Sequence, residues 1–223
     1  MPELAEVETV RRTLKKKILH KKIIKVDIYY PNMIESDINE FKNIVGSEFI
    51  DIHRKGKWLI FELNNYYLLS HLRMEGKYFI KDIEQPLEKH EHIVFTFIDN
   101  TDLRYHDTRK FGRMNLIKKE DINNIEALNK QGFEPNSKQL TKEYLYNKIS
   151  KKNLHIKTLL LDQTIISGLG NIYADEVLFA SKINPLKKGN EITLEECQKI
   201  IDASGKIIKK AIENGGTTIR SYT

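Results

Sequence analysis

Pro2 and Glu3 form the first chemically suggestive pair in the chain. If Met1 is removed, which a small second residue permits, Pro2 becomes a secondary amine. An α-amino group titrates at about pH 8, so a useful fraction is neutral and nucleophilic under physiological conditions. Such an amine attacks an electrophilic carbon and forms an iminium, as a lysine Schiff base does. Glu3, one residue on, is placed to carry protons. The same stretch also reads as an ordinary helix start. Pro2 sits where a first-turn proline is tolerated, Leu4, Val7, Val10 and Leu14 follow helical spacing, and Lys15, Lys16 and Lys17 close the helix.

Four further clusters mix cations with aromatics or glycines. Arg54-Lys55-Gly56-Lys57-Trp58 opens a strand with Lys55 and Lys57 on one face, as a solvated edge or as phosphate contacts. His71-Leu72-Arg73-Met74-Glu75-Gly76 ends a strand in a turn, where a methionine is ordinarily core filler. Asp107-Thr108-Arg109-Lys110-Phe111-Gly112 reads as a polar turn with one aromatic anchor, and Asp107 beside His106 is suited to ordering it. Ser167-Gly168-Leu169-Gly170-Asn171 separates two helices, with Asn171 as the cap of the second. Its glycines would also let backbone N–H groups approach a phosphate at a helix start. His90 and His92 in Lys89-His90-Glu91-His92 share a strand face but lack a nearby third ligand, so no metal is assigned. No Ser/His/Asp or Cys/His triad is apparent.

The elements that must hold these residues change texture along the chain. Residues 23–30, 57–63, 66–72, 92–98 and 101–106 are short, β-branched or aromatic runs divided by turns such as Asn64-Asn65 and Asp99-Asn100. No helices alternate with them, so an antiparallel sandwich is expected. After residues 132–137 (GFEPNS) the pattern turns helical, with candidates at 138–150, 154–163, 172–181 and 193–213. The predicted fold is α+β: an N-terminal helix and two-layer antiparallel β-sandwich over 1–133, then a helical domain over 134–223. The 223 residues carry a net charge of +6, split +2 and +4 between these halves, which favours an anionic partner in a cleft. No run is long and apolar enough for a membrane span, and the single cysteine, Cys197, excludes an internal disulfide or a multi-cysteine zinc site. A reducing, cytoplasmic location is expected.

PELAEVETVRR at the start, the Met74, Arg109 and Phe111 set, and SGLGNIYADEVLFASKINP at 167–185 together resemble the bacterial formamidopyrimidine-DNA glycosylases. The match runs in order through most of the chain. That resemblance implies a bifunctional base-excision-repair enzyme that removes oxidised purines such as 8-oxoguanine from duplex DNA and cleaves the abasic strand by β,δ-elimination. It implies Pro2 as nucleophile, Glu3 as acid/base, and Lys57 in the active site on the damaged nucleotide's phosphate. Met74, Arg109 and Phe111 would fill the hole left by the extruded base, a step that costs a few kcal/mol of unstacking. Lys89, His90, Lys110, Lys157, Asn171 and Tyr173 would contact DNA, the last three in or beside a helix–two-turn–helix element. Thr217, Thr218, Arg220 and Tyr222 would form a loop over the everted base.

Two positions depart from the family pattern: Ala5 stands where proline is usual, and Lys110 where arginine is frequent, which keeps the charge but not the bidentate fork. Members usually continue past the GGTT segment into a four-cysteine zinc finger, and this chain stops at Thr223. No cofactor is expected in the chain itself. Zinc is expected if a longer natural chain carries the finger, and a cut is favoured over a member that lacks it. A monomer acting near the nucleoid, on duplex DNA with oxidised purines or abasic sites, is the reading. The rivals are an endonuclease VIII-like enzyme for oxidised pyrimidines and a truncated chain that binds damaged DNA without catalysis.

Overall fold

The computed structural model describes residues 1–216, so Thr217, Thr218, Arg220 and Tyr222 lie outside the described residues. The chain divides into two compact units, one of Met1–Pro2 with Val7–Ile125 and the other of Glu3–Glu6 with residues 126–216. The break thus falls earlier than the expected boundary at 133. Gly132 and Phe133 are tied into the helical unit, Gly132 donating its N–H to the Gln163 carbonyl at 2.8 Å and Phe133 bridging to Ile166.

The first unit holds two four-stranded antiparallel sheets. One has the order β1 (Ile23–Ile28), β6 (Glu91–Phe97), β7 (Thr101–His106), β5 (Lys77–Asp82). The other has the order β2 (Asp51–Lys55), β3 (Trp58–Glu62), β4 (Tyr66–His71), β8 (Arg113–Lys118). Alternating apolar residues of both sheets meet in one core, as where Phe61 of β3 meets Tyr78 of β5 edge-on at 5.6 Å. Helix α1 (Leu4–Ile18) gives Val7, Val10, Leu14 and Ile18 to that core, as its periodicity predicts. A one-turn helix α2 (Ile38–Phe41) follows β1.

The chain changes sheet between β4 and β5, through residues 72–76, and again between β7 and β8, through residues 107–112. Because β4 pairs with β8 and β5 with β7, the flanking pairs His71↔Arg113 and Lys77↔His106 force these two crossings side by side.

The second unit contains α3 (Glu126–Asn129), α4 (Lys142–Ile149), α5 (Ile156–Leu161), α6 (Asn171–Ser181) and α7 (Leu194–Glu213). Helix α4 starts at Lys142, after its Thr141 cap and four residues later than the apolar pattern suggested, and Asp162 stops α5 by folding back on the Thr164 N–H. Thr193 and Glu196 form a reciprocal capping box at the start of α7. Leu4 and Ala5 are buried in this unit's core with Leu169, Ala174 and Ile208. No helix among the described residues is long and apolar enough to cross a membrane.

Candidate active site

The helical unit seats Glu3. The residue is 2% exposed, and its carboxylate accepts three backbone N–H groups at the start of α6: Gly170 at 2.6 Å, Ile172 at 2.9 Å and Tyr173 at 3.2 Å. These are the otherwise orphaned donors of a helix N-terminus, at its positive end. The SGLGN turn is shaped for this. Gly168 adopts φ +97° and its Cα abuts Leu4, while Gly170 leaves room for the Glu3 carboxyl group. The amides that the sequence reading offered to a phosphate are therefore given to Glu3. Gly170 is the cap of α6, and Asn171 is its exposed first residue. Tyr173 is buried, with its hydroxyl donating to Glu6 Oε1 at 2.7 Å, and Glu6 Oε2 accepts the Glu3 N–H at 3.0 Å. Tyr173 thus lies beneath Glu3 and Glu6.

In the sandwich unit the two sheet crossings carry the exposed apolar residues Met74 and Phe111. Asp107, fully buried, organises the second crossing. Its Oδ1 accepts the N–H groups of Arg109 and Lys110, each at 3.0 Å, and its Oδ2 that of Gly112 at 2.8 Å. The Arg109 guanidinium stands 4.8 Å over the Phe111 ring, and Lys110 Nζ 4.6 Å over Tyr30. Asp107 also gives its N–H to the His90 carbonyl at 3.0 Å, and its own carbonyl meets His92 Nε2 at 2.8 Å. His90, at φ +75°, and exposed Lys89 are thereby joined to the same end of the sandwich. The rings of His92 and His106 flank His90 at 6.1 and 5.9 Å.

Lys57 is not on a strand face. Gly56 and Lys57 form the turn of the β2–β3 hairpin, Gly56 at φ +55°, and Lys57 is buried. Alternation along a strand therefore does not relate it to Lys55. It lies beside the Trp58↔His71 pair. His71 Nδ1 accepts the Arg73 N–H at 3.0 Å; burial, then the charges of Arg73 and Lys57, push the imidazole down to about 3, so it stays neutral. The turn is also tied to α1. Arg54 donates to Glu8 Oε2 at 3.0 Å and to the Gly56 carbonyl at 2.8 Å, while Arg11 and Arg12 complete the ring of donors on Glu8. Burial raises the Glu8 carboxyl, but these guanidinium bonds outweigh it and hold it at about 2.

Comparison with known proteins places this arrangement. Residues 1–114 match the model of the formamidopyrimidine-DNA glycosylase N-terminal domain, and residues 131–223 that of the glycosylase's H2TH domain. The chain belongs to the formamidopyrimidine-DNA glycosylase family. Its relatives include the formamidopyrimidine-DNA glycosylases of Lactobacillus helveticus, 46% identical over the whole chain and 81% of that protein, and of Bacillus anthracis, 44% identical over the whole chain and 82% of that protein. Among solved structures, Lactococcus lactis Fpg superposes with a TM-score of 0.94 in a complex with N7-benzyl-Fapy-dG DNA, at 41% identity over 99% of this chain and 82% of the other. Its complex with abasic-site DNA also gives 0.94, at 40% identity and the same coverage. Formamidopyrimidine-DNA glycosylases are base-excision-repair enzymes.

Within this family member, the sandwich end gathers Lys57, Met74, Lys89, His90, Arg109, Lys110 and Phe111. Pro2 is partly exposed, immediately before the seated Glu3. Lys157, on α5, is half-exposed and paired with Asp175 of α6 at 2.8 Å. Ala5, the second residue of α1, is fully buried in the core of the helical unit. Sequence reasoning gave Glu6, Glu8, Arg54 and Tyr105 no partners, because buried polar residues carry no motif until the groups they meet are known. Among the described residues no three His, Cys, Asp or Glu side chains converge as metal ligands, and Cys197 is buried in α7.

Proposed function

We propose that the chain removes oxidised purines from duplex DNA through Pro2 and then cleaves the abasic strand by β,δ-elimination. The observation that carries this reading is the seat of Glu3. Three amides at the start of α6 hold the carboxylate of the residue that follows Pro2, so the proton carrier next to the nucleophile in the chain is held in place. Once Met1 is gone, the neutral Pro2 nitrogen attacks C1′ of the damaged nucleotide. The C1′–N bond breaks, and the base leaves with a proton. Ring opening gives an iminium between Pro2 and C1′. Loss of a C2′ proton expels the 3′ phosphate, a second elimination expels the 5′ phosphate, and hydrolysis frees Pro2. Glu3 moves the protons these steps require. Lys57 holds the phosphate of the damaged nucleotide, and Met74, Arg109 and Phe111 enter the stack as the base leaves it. Lys89, His90, Lys110, Lys157 and Asn171 contact the DNA backbone.

Borohydride reduction tests the reading, because it traps the iminium as a stable protein–DNA adduct. An adduct is expected with an 8-oxoguanine duplex and with an abasic duplex, and Pro2→Gly should abolish it. Binding without any adduct would reduce the chain to a damage-binding module. A stronger adduct with a thymine glycol duplex than with 8-oxoguanine would transfer it to oxidised pyrimidines.

A further inference from the structure

Gly76 and Gly112 close the two sheet crossings, and neither has the positive φ that would require glycine. Close approach explains both. A Cβ on either residue would collide with the same atom, the hydroxyl oxygen of Tyr105. On Gly112 it would also meet Tyr105 Cζ at 2.8 Å, and on Gly76 the Leu72 carbonyl oxygen at 2.7 Å. Tyr105 is fully buried near the end of β7, paired in register with Tyr78, and their rings pack at 5.1 Å. The phenol therefore reaches out of the core to the point where the crossings meet. Beyond it, the Thr108 hydroxyl donates to the Glu75 carboxylate from one crossing to the other.

We propose that Tyr105 is a positioning residue for base extrusion, its hydroxyl setting the spacing between the Met74 crossing and the Arg109–Phe111 crossing. The inference rests on the reading of Met74, Arg109 and Phe111 as the groups that replace the extruded base. Those three side chains reach one gap in the base stack from two separate loops, so their mutual placement has to be fixed before DNA arrives. Asp107 fixes the second loop internally but not its distance from the first, and the Thr108–Glu75 bond joins two exposed side chains. The phenol hydroxyl sets that distance by abutting both backbones at Cα, where no side chain can intervene. A rigid ring with its root in the core is a better spacer than a flexible side chain, whose rotamer freedom would blur the distance.

The test compares excision of 8-oxoguanine from duplex, under single turnover, with borohydride trapping on a preformed abasic site in single-stranded DNA, where no base is extruded. Tyr105→Phe keeps the ring and removes the spacer. It is expected to slow duplex excision about tenfold while leaving trapping and the melting temperature near those of the parent. Gly112→Ala should slow duplex excision too, and Tyr105→Phe combined with Gly112→Ala should recover part of that loss, because the new methyl group's nearest obstacle is gone. Parental excision by Tyr105→Phe, with Met74→Ala and Phe111→Ala both slowed, would overturn the inference and leave the wedge reading standing. Equal losses in excision, trapping and melting temperature would reduce Tyr105 to a structural residue. Parental excision by Met74→Ala and Phe111→Ala would remove the wedge reading and this inference with it.

Discussion

The carboxyl group of Glu3 occupies the space in which a side chain at position 170 would stand: a Cβ there would lie 2.5 Å from Glu3 Oε1. Gly170 is thus a condition for the position of Glu3, across 167 residues of sequence. Gly170→Ala should displace the carboxylate from its three amides and move Pro2 with it. A loss of about 100-fold in adduct formation is expected, the scale of an ångström-level misplacement of a reacting group. Circular dichroism should show the helices retained, and an unchanged trapping rate would refute the coupling.

How much of this was legible follows from where each residue sits. The five strand runs expected from the sequence became β1, β3, β4, β6 and β7. The three strands that escaped, β2, β5 and β8, are all sheet edges. Sequences such as DIHRK and KYFIKD keep one side in solvent and carry charges that discourage further pairing, so they lack the apolar signature of an inner strand. With β5 and β8 missing, no sequence argument could show that residues 72–76 and 107–112 run side by side. Family resemblance named Met74, Arg109 and Phe111 together; strand pairing supplies the physical reason. Glu3 was legible as a candidate because it adjoins Pro2, but its seat depended on a helix start far along the chain.

Tyr173 offers a way to separate core from interface. Its hydroxyl is buried on Glu6, so Tyr173→Phe should leave a buried carboxylate one donor short and cost about 1–3 kcal/mol of stability. Urea unfolding measures that loss. The salt dependence of duplex binding should stay as in the parent, whereas a phosphate-contacting hydroxyl would show itself as weaker binding without lost stability.

The Lys157–Asp175 pair predicts opposite effects of its two partners on DNA binding. An exposed ion pair of this kind contributes little to folding, so either side chain can be changed without unfolding the protein. Lys157→Ala should weaken duplex binding and lower the slope of log affinity against log salt by about one. Asp175→Asn should strengthen binding a few-fold at low salt by removing the competing anion. Fluorescence anisotropy titrations between low and moderate salt check both, and equal slopes for parent and Lys157→Ala would remove Lys157 from the interface.

Acid should weaken the fold in two stages with different owners. Buried His71 is held neutral, its value lowered from 6.5 to about 3, so below about pH 6.5 the unfolded chain takes up a proton that the folded chain refuses. The penalty grows as pH falls and levels off near 3; at pH 5 it amounts to about 2 kcal/mol. Glu8 acts in the lower window, because its value is depressed from 4.5 to about 2. Its contribution is complete above about pH 4.5 and is lost as pH falls through 2. His71→Gln, whose amide oxygen can still accept the Arg73 N–H, should flatten the stability profile between pH 6.5 and 5 and leave only the Glu8 share of the decline below that. Glu8→Gln should instead lower stability at neutral pH, by stripping Arg11, Arg12 and Arg54 of their shared anion, and make the profile less steep below 4.5, where only the His71 share remains. Urea unfolding of the three proteins at pH 7.5, 5 and 3.5 separates the stages. Parallel profiles for the parent and His71→Gln from 6.5 to 5 would mean that His71 takes up its proton in the folded state, beside Lys57 and Arg73, against the cost of their charges.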